Sequence, residues 1–175
     1  MSSKPVLKMG NRQLAISSVP LENFEHQGGS YPGLTDLLQD MLDTMKEKGG
    51  VGIAAPQIGC NKRVIMFGFE KSQRYPKEKP VPFTILINPV LKILSTDMND
   101  GWEGCLSVPG LRGLVSRYNK IAYCGFDPQG KRIEGIAQGF HARIIQHECD
   151  HLDGILFPQR LQDLRFFGFE DELQL

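Results

Sequence analysis

The sequence has no excess of either charge: 20 Lys and Arg balance 20 Asp and Glu over 175 residues. A chain of zero net charge carries no broad electrostatic footprint for nucleic acid, so no sequence-specific nucleic-acid partner is expected. It also lacks a long apolar run. The best candidate, residues 83–94, is interrupted by Asn88, Pro89 and Lys92, and no membrane partner is expected. The N-terminus has neither the apolar core of a signal peptide nor the Arg-rich amphipathic character of a transit peptide, which makes a bacterial-type cytoplasm the expected location. The four cysteines (Cys60, Cys105, Cys124, Cys149) form no C-x-x-C pair and no even framework, so a disulfide scaffold is not expected. The glycine-rich stretch at 50–59 is followed by no Gly-Lys-Ser or Gly-Lys-Thr, which excludes a phosphate loop, and its glycines lack dinucleotide spacing. Internal repeats and low-complexity segments are absent as well.

What is present is an ordinary globular composition, 41% apolar and 23% charged. The length suits one domain, residues 1–175, with a core that needs no covalent staples. Residues 1–33 read as an N-terminal arm lying across the domain, with Gly28-Gly29-Ser30 and Pro32-Gly33 as loop punctuation. Leu34, Leu37, Leu38, Met41, Leu42 and Met45 then recur at helical spacing, with Asp36 and Lys46 suited to the two ends of the helix dipole and Gly49 as the stop. Residues 63–69 read as a strand, 71–82 as an exposed proline-bearing loop, and 83–87 as a second strand bent or broken by Asn88-Pro89. Asn99-Asp100-Gly101 is turn chemistry leading into an extended segment that carries Cys105. Residues 120–126 and 131–137 form strands joined by the hairpin signature Asp127-Pro128-Gln129-Gly130. A second helix is expected from Gly139 to Asp153-Gly154, and a short terminal helix within 161–169, in a C-terminal segment spanning 161–175. Strands followed by a helix packed on them describe an α+β fold of antiparallel or mixed strands around a central helix.

That second helix carries Gln146-His147-Glu148-Cys149-Asp150-His151. His147 and His151 are four apart, so on a helix they stack on one face about one turn from each other and can grip one metal ion. Glu148 follows the first of them and could serve a proton-transfer role beside the metal. An amphipathic helix with two surface histidines would share this pattern; against it, the chain has only four histidines and two fall here at ligand spacing. A catalytic metal usually takes three protein ligands and keeps one open position. The extended protease pattern His-Glu-x-x-His-x-x-Gly-x-x-His matches as far as Gly154, but Phe157 stands in the last histidine's place. A metallopeptidase with a downstream glutamate ligand would use Glu170 or Glu172, 23 and 25 residues after His147. That reading leaves the glycine-rich and Cys105 segments without a role.

Three segments in order, Gly50 to Gln57 (G-x-G-x-A-A-x-Q), Glu103 to Ser107 (E-G-C-L-S) and Gln146 to His151 (Q-H-E-x-D-H), resemble the peptide deformylase family. The likeness runs from about Val6 to Phe157. The stretches 127–133 and 142–144 look more like its organellar-type branch. The resemblance implies that Cys105, His147 and His151 bind one divalent metal ion, Fe(II) in the usual physiological case, with Zn(II), Ni(II) or Co(II) also able to occupy the site. It implies removal of the formyl group from the formyl-methionyl end of a nascent polypeptide, with Glu148 moving the proton and with the Gln57 amide and Leu106 N–H holding the oxyanion. Gly52, Val51, Arg112, Glu103, Phe140 and Ile144 would lie on the substrate side. Glu103 could also orient an imidazole from behind, and Asp150 would pair with Arg117 to fix the helix. A transient ribosome contact belongs to the same resemblance. Two departures accompany it: Gly101 and Arg143 stand where many bacterial members carry bulkier apolar residues near the methionine pocket, and the acidic C-terminus differs from members with a basic terminal helix. A non-catalytic, metal-stabilised relative is the rival reading; it would need a missing base or ligand, and none is missing.

Overall fold

The computed structural model describes residues 3–22, 24 and 30–173. The loop punctuation at Gly28 and Gly29 lies outside them. Among the described residues, two α-helices and two antiparallel sheets make the fold. Helix α1 (Leu34–Glu47) falls where the 3.6-residue periodicity places it, and helix α2 (Phe140–Leu152) lies between Gly139 and Asp153, as expected from sequence. The larger sheet runs in the order β1 (Gly52–Ala54), β2 (Val64–Phe69), β3 (Val81–Ile93), β6 (Lys120–Phe126), β7 (Arg132–Gln138). The smaller consists of β4 (Met98–Cys105), β5 (Val108–Tyr118) and β8 (Phe167–Phe169).

Helix α2 is wedged between the sheets, against β1, β2, β3 and β7 on one side and β5 on the other. From Ala142 to Leu152 every residue is buried. A helix buried all round is expected to be apolar all round, yet α2 carries Arg143, Gln146, His147, Glu148, Asp150 and His151. Its apolar residues Ala142, Ile144, Ile145, Cys149 and Leu152 join Ile65, Phe67 and Leu86 in one core cluster. Cys149 packs there as a small hydrophobe. Gln146 faces the smaller sheet: its Nε2 donates to the Tyr118 carbonyl at 2.9 Å and its Oε1 accepts from the Tyr118 N–H at 3.1 Å.

The N-terminal arm crosses both sheets. The Leu7 N–H donates to the Gln57 carbonyl, Met9 to Ser107 and Ser18 to Leu152, at 2.8, 2.7 and 2.7 Å. At Asn88 strand β3 bends and is not broken. Asn88 adopts a left-handed φ of 52°, pairing with β6 shifts register between Ile87 and Val90, and the strand continues to Ile93. The Asn88 side chain accepts from the Leu21 N–H and donates to the Leu21 carbonyl, so the bend is also the tether for the arm.

Three local expectations are corrected. Asn99-Asp100-Gly101 is not a turn but part of β4, paired with Arg117, Ser116 and Val115 of β5. Turn-favouring residues are carried here by a long neighbouring strand, because pairing with β5 outweighs local strand propensity. The terminal segment is not a helix. A single 3₁₀ turn (Leu164–Phe166), capped by the Asp163 side chain, leads into β8, which completes the free edge of β5 at Leu111–Gly113. The proline-bearing loop ends earlier than expected, since Val81 already pairs with Phe69.

Candidate active site

Three elements meet at one point. The G-x-G-x-A-A-x-Q stretch forms the edge strand β1 and then a 3₁₀ turn (Ala55–Ile58). Strand β4 ends at Cys105, where the ladder shifts register and the chain turns through 106–107 into β5. Helix α2 passes beneath both. The Sγ of Cys105 and a ring nitrogen each of His147 and His151 lie within 4.8 Å of one another, and Sγ is 3.2 Å from His151 Nε2.

One thiolate and two imidazoles form a donor set that first-row divalent metals accept, and three converging ligands leave a fourth position open. Burial opposes ionisation of Cys105, but the attraction of His151 and hydrogen bonds from both histidines outweigh it and hold the thiol well below its ordinary range. Two buried polar atoms here, Glu148 Oε2 and His151 Nδ1, have no hydrogen-bond partner, a rarity in folded interiors that marks a site built for something further. The residues fit a divalent metal.

His147 is held from behind. Its Nδ1 is 2.8 Å from Glu103 Oε2. Burial would raise Glu103, but hydrogen bonds from Arg117 and His147 outweigh it and keep the carboxylate ionised far below the usual range. An ionised carboxylate accepts, so the proton sits on Nδ1 and the Nε2 lone pair is free for the ligand position. Arg117 grips Glu103 with two parallel hydrogen bonds of 2.9 Å, and its Nη1 reaches Asp150 Oδ2 at 2.5 Å. Arg160 holds the other Asp150 oxygen at 2.7 Å. Arg143 adds 2.8 Å to Glu103 Oε1 and donates to the carbonyls of Val115, Gly101 and Asn99. Glycine at 101 makes room for that guanidinium, because a Cβ there would stand 2.9 Å from Arg143 Cζ. Three guanidiniums therefore surround two carboxylates, and neither Glu103 nor Asp150 is left unpaired.

Glu148 lacks such partners. Burial dominates and raises its pKa to about 7. Its carboxyl lies against Gly52 of β1, where an added Cβ would meet Cδ at 2.8 Å. Gln57 has a fixed orientation: Oε1 accepts from the Ala54 N–H at 2.8 Å, so Nε2 points to Ser107 Oγ (3.1 Å) and Cys105 Sγ (3.5 Å).

The cavity over these groups is lined by Val51, Gly52, Gln57, Glu103, Cys105, Leu106, Phe140, Ile144, His147 and Glu148, all singled out from sequence. Arg112 is placed elsewhere. It lies in the neighbouring groove, bonded to Glu170 at 2.6 Å and over the Tyr75 ring at 5.0 Å. Glu170 is thus committed to an arginine, and it is not among the converging metal-ligand atoms. Sequence reasoning missed three participants. Arg74 and Tyr75, in the segment read as an exposed loop, form the outer wall, with the Tyr75 ring tilted against Phe140 at 4.7 Å. Ser107 is fully buried and donates its N–H to Cys105 Sγ at 3.3 Å; only its place in the E-G-C-L-S segment hinted at it.

A family model described as polypeptide deformylase matches residues 3–166. The chain belongs to the peptide deformylase family. It is 52% identical over 170 residues to peptide deformylase 2 of Ralstonia nicotianae, covering 97% of this chain and 93% of that protein. To peptide deformylase 1 of Bordetella pertussis it is 54% identical over 168 residues, covering 96% and 93%. Among solved structures, the Met-Ala-Ser-bound class I type b peptide deformylase of Acinetobacter baumannii superposes with a TM-score of 0.85 at 40% identity, covering 92% of this chain and all of that one. The peptide deformylase of Ehrlichia chaffeensis gives 0.81 at 30% identity, with 94% and 90% covered. This is a metal-dependent hydrolase family, and the cysteine and two histidines supply a matching cluster.

Proposed function

We propose that this chain hydrolyses the formamide at the N-terminus of formyl-methionyl nascent polypeptides, releasing formate, and that residues 1–175 act as one catalytic domain. The observation that carries the reading is the convergence of Cys105, His147 and His151 beside an unpartnered, buried Glu148, in a chain of this family. The peptide bound in the Acinetobacter baumannii relative supports a methionyl substrate.

Cys105, His147 and His151 would hold one divalent ion, Fe(II) first, with Zn(II), Ni(II) or Co(II) as substitutes. Such an ion supplies Lewis-acid charge that makes water a nucleophile near neutral pH. Glu148 takes the proton released as water attacks the formyl carbon and returns it to the departing amine; a carboxyl poised near neutrality suits both steps. Gln57 Nε2, aimed by its bond to Ala54, and the Leu106 N–H donate to the oxyanion, each such donor being worth roughly 3–4 kcal/mol in comparable sites. Val51 and Gly52 at the open edge of β1 bind the peptide backbone, Phe140 and Ile144 take the methionine side chain, and Arg112 makes a further peptide contact. Glu103 fixes His147, with Arg117 and Asp150 behind it. The chain works in a bacterial-type cytoplasm with transient contact to the ribosome; no helix of the described residues is long and apolar enough to cross a membrane.

The test is formate release from a formyl-methionyl peptide, with metal content measured alongside. Cys105→Ala should lose both metal and turnover. Full metal content and activity in that variant would remove Cys105 from the site.

A further inference from the structure

Two grooves leave the catalytic cavity past the same side chain, Arg74. One, on the Tyr75 and Arg112 side, is mixed in charge, with Lys77 and Arg112 opposed by Glu78, Asp100 and Glu170. The other runs between the N-terminal arm, the end of α1 and residues 105–110, and shares Cys105 and Leu106 with the cavity itself. Among the described residues its charged lining is Lys8, Lys48 and Arg74, with no carboxylate.

This groove is built from fixed parts. Lys8 sits between two residues whose backbone N–H groups are bonded into the site, Leu7 to Gln57 at 2.8 Å and Met9 to Ser107 at 2.7 Å. The arm therefore places one cation beside the site by anchoring to the oxyanion-side segments. Lys48 has an ion-pair partner, Glu47 at 2.7 Å, which does not line the groove. Among the described residues the Arg74 guanidinium has no ion pair or hydrogen bond, and it stands over Gly104, where a Cβ would meet Nη2 at 2.9 Å. Three cations around a channel that starts at the metal-ligand cysteine set a positive potential along one of the two paths open to a peptide extending from the cavity.

We infer that this groove selects acidic side chains downstream of the substrate's first residue, with Arg74, Lys8 and Lys48 as the specificity-determining residues. The inference rests on the deformylase reading. Electrostatic selection of this kind acts on substrate capture, so it belongs in kcat/KM and is screened by salt.

The experiment uses the metal-loaded enzyme and a neutral formyl-Met-Ala-Ser peptide, together with versions carrying Asp, Asn or Lys in turn at the second, third and fourth residues. The expected result is kcat/KM in the order Asp, Asn, Lys at one or more positions. The Asp-to-Lys ratio should be roughly tenfold at low salt, about what one screened pair gained and one lost allow, and should shrink in 0.5 M salt. Arg74→Gln with Lys8→Gln should bring the ratio towards one, and Lys8→Glu with Lys48→Glu should invert it; thermal melts confirm that each variant is folded. Ratios within twofold at every position, or a preference that survives the Arg74→Gln, Lys8→Gln variant, would overturn the inference. Equal ratios together with salt-sensitive inhibition by a ribosomal RNA fragment would overturn it in favour of a phosphate backbone as occupant. No formate from any peptide, the neutral one included, would strike the deformylase reading and this inference with it.

Discussion

On its inner side the catalytic cavity rests on α2, where His147 is backed by Glu103 and Glu103 in turn by Arg117 and Arg143. On its outer side it rests on Arg74 and Tyr75, half-buried residues of the segment between β2 and β3. The inner wall is over-determined around Glu103 and Asp150, since each has more than one arginine partner. The outer wall hangs on Tyr75, through its ring against Phe140 and under Arg112 and its hydroxyl accepting from the Gly104 N–H at 3.3 Å. A ligand cluster must hold its geometry when empty, whereas the wall that admits a peptide must yield. The two walls should respond to mutation in opposite ways.

The largest effect is expected from Glu148→Gln, the inner-wall change that removes chemistry and leaves support intact. The amide keeps the volume but cannot accept a proton, so kcat should fall by ~10²–10⁴ at matched metal content. A fully metallated variant with wild-type formate release would break the assigned role. Next comes Arg117→Met, which takes the shared guanidinium from between two buried carboxylates and leaves Glu103 to Arg143 and His147, and Asp150 to Arg160 alone. Urea denaturation should show a loss of about 3–5 kcal/mol. A loss below 1 kcal/mol would mean that Arg143 and Arg160 carry the network without it.

Tyr75→Ala tests the other wall. Removing its ring contact with Phe140 should raise KM several-fold, in line with about 0.5–1.5 kcal/mol for such an aromatic pair, and shift the melting temperature little. A collapse in stability with unchanged KM would erase the distinction between the walls. The smallest effect lies at the far end of α2. His141, tilted against Phe67 and Tyr123, has a buried Nε2 with no partner, and burial lowers its pKa. The unfolded chain takes up this proton near pH 6.5 while the folded chain resists it, so the stability difference is absent above that pH and grows against the fold as pH drops below it. Melting temperatures at pH 7.5 and 5.5 should differ less in His141→Phe than in the parent; an unchanged difference would remove His141 as a contributor.

The same division separates what could be read in the sequence from what could not. His147, Glu148 and His151 are legible because one helical period places them together, and a period is a local property. Cys105, Gln57 and Glu103 became legible through the ordered segments that resemble the family. Arg74 and Tyr75 were hidden because a polar, proline-bearing stretch looks like any exposed loop, and only the docked ring of Tyr75 shows otherwise. Strand β4 was hidden at 99–101 because Asn-Asp-Gly is turn chemistry until a partner strand lies beside it. Strand β8 was unreadable for a related reason: three residues have no period, and their conformation is set by the edge of β5. Gly101 and Arg143 were visible separately as departures from the family. That each depends on the other, small residue under large cation, appears only in three dimensions.

The bond pair between Gln146 and Tyr118 bears on the alignment of α2 with the ligand cluster. The two histidines are one turn apart, so a helix shifted along its axis by one turn, about 5.4 Å, would bring His151 to the position of His147 and Ile155 to that of His151. The misaligned state would still offer one imidazole to Cys105, but it would set Gln146, Glu148 and Asp153 in the core places of Ala142, Ile144 and Cys149. A two-point clasp between the Gln146 amide and the Tyr118 backbone also makes the two alignments unequal, because it satisfies a donor and an acceptor together at a single offset. In a shifted helix that place would fall to Asp150, which cannot donate when ionised. Gln146 thus acts as an indexing pin that holds the helix to the same register as its apolar core face.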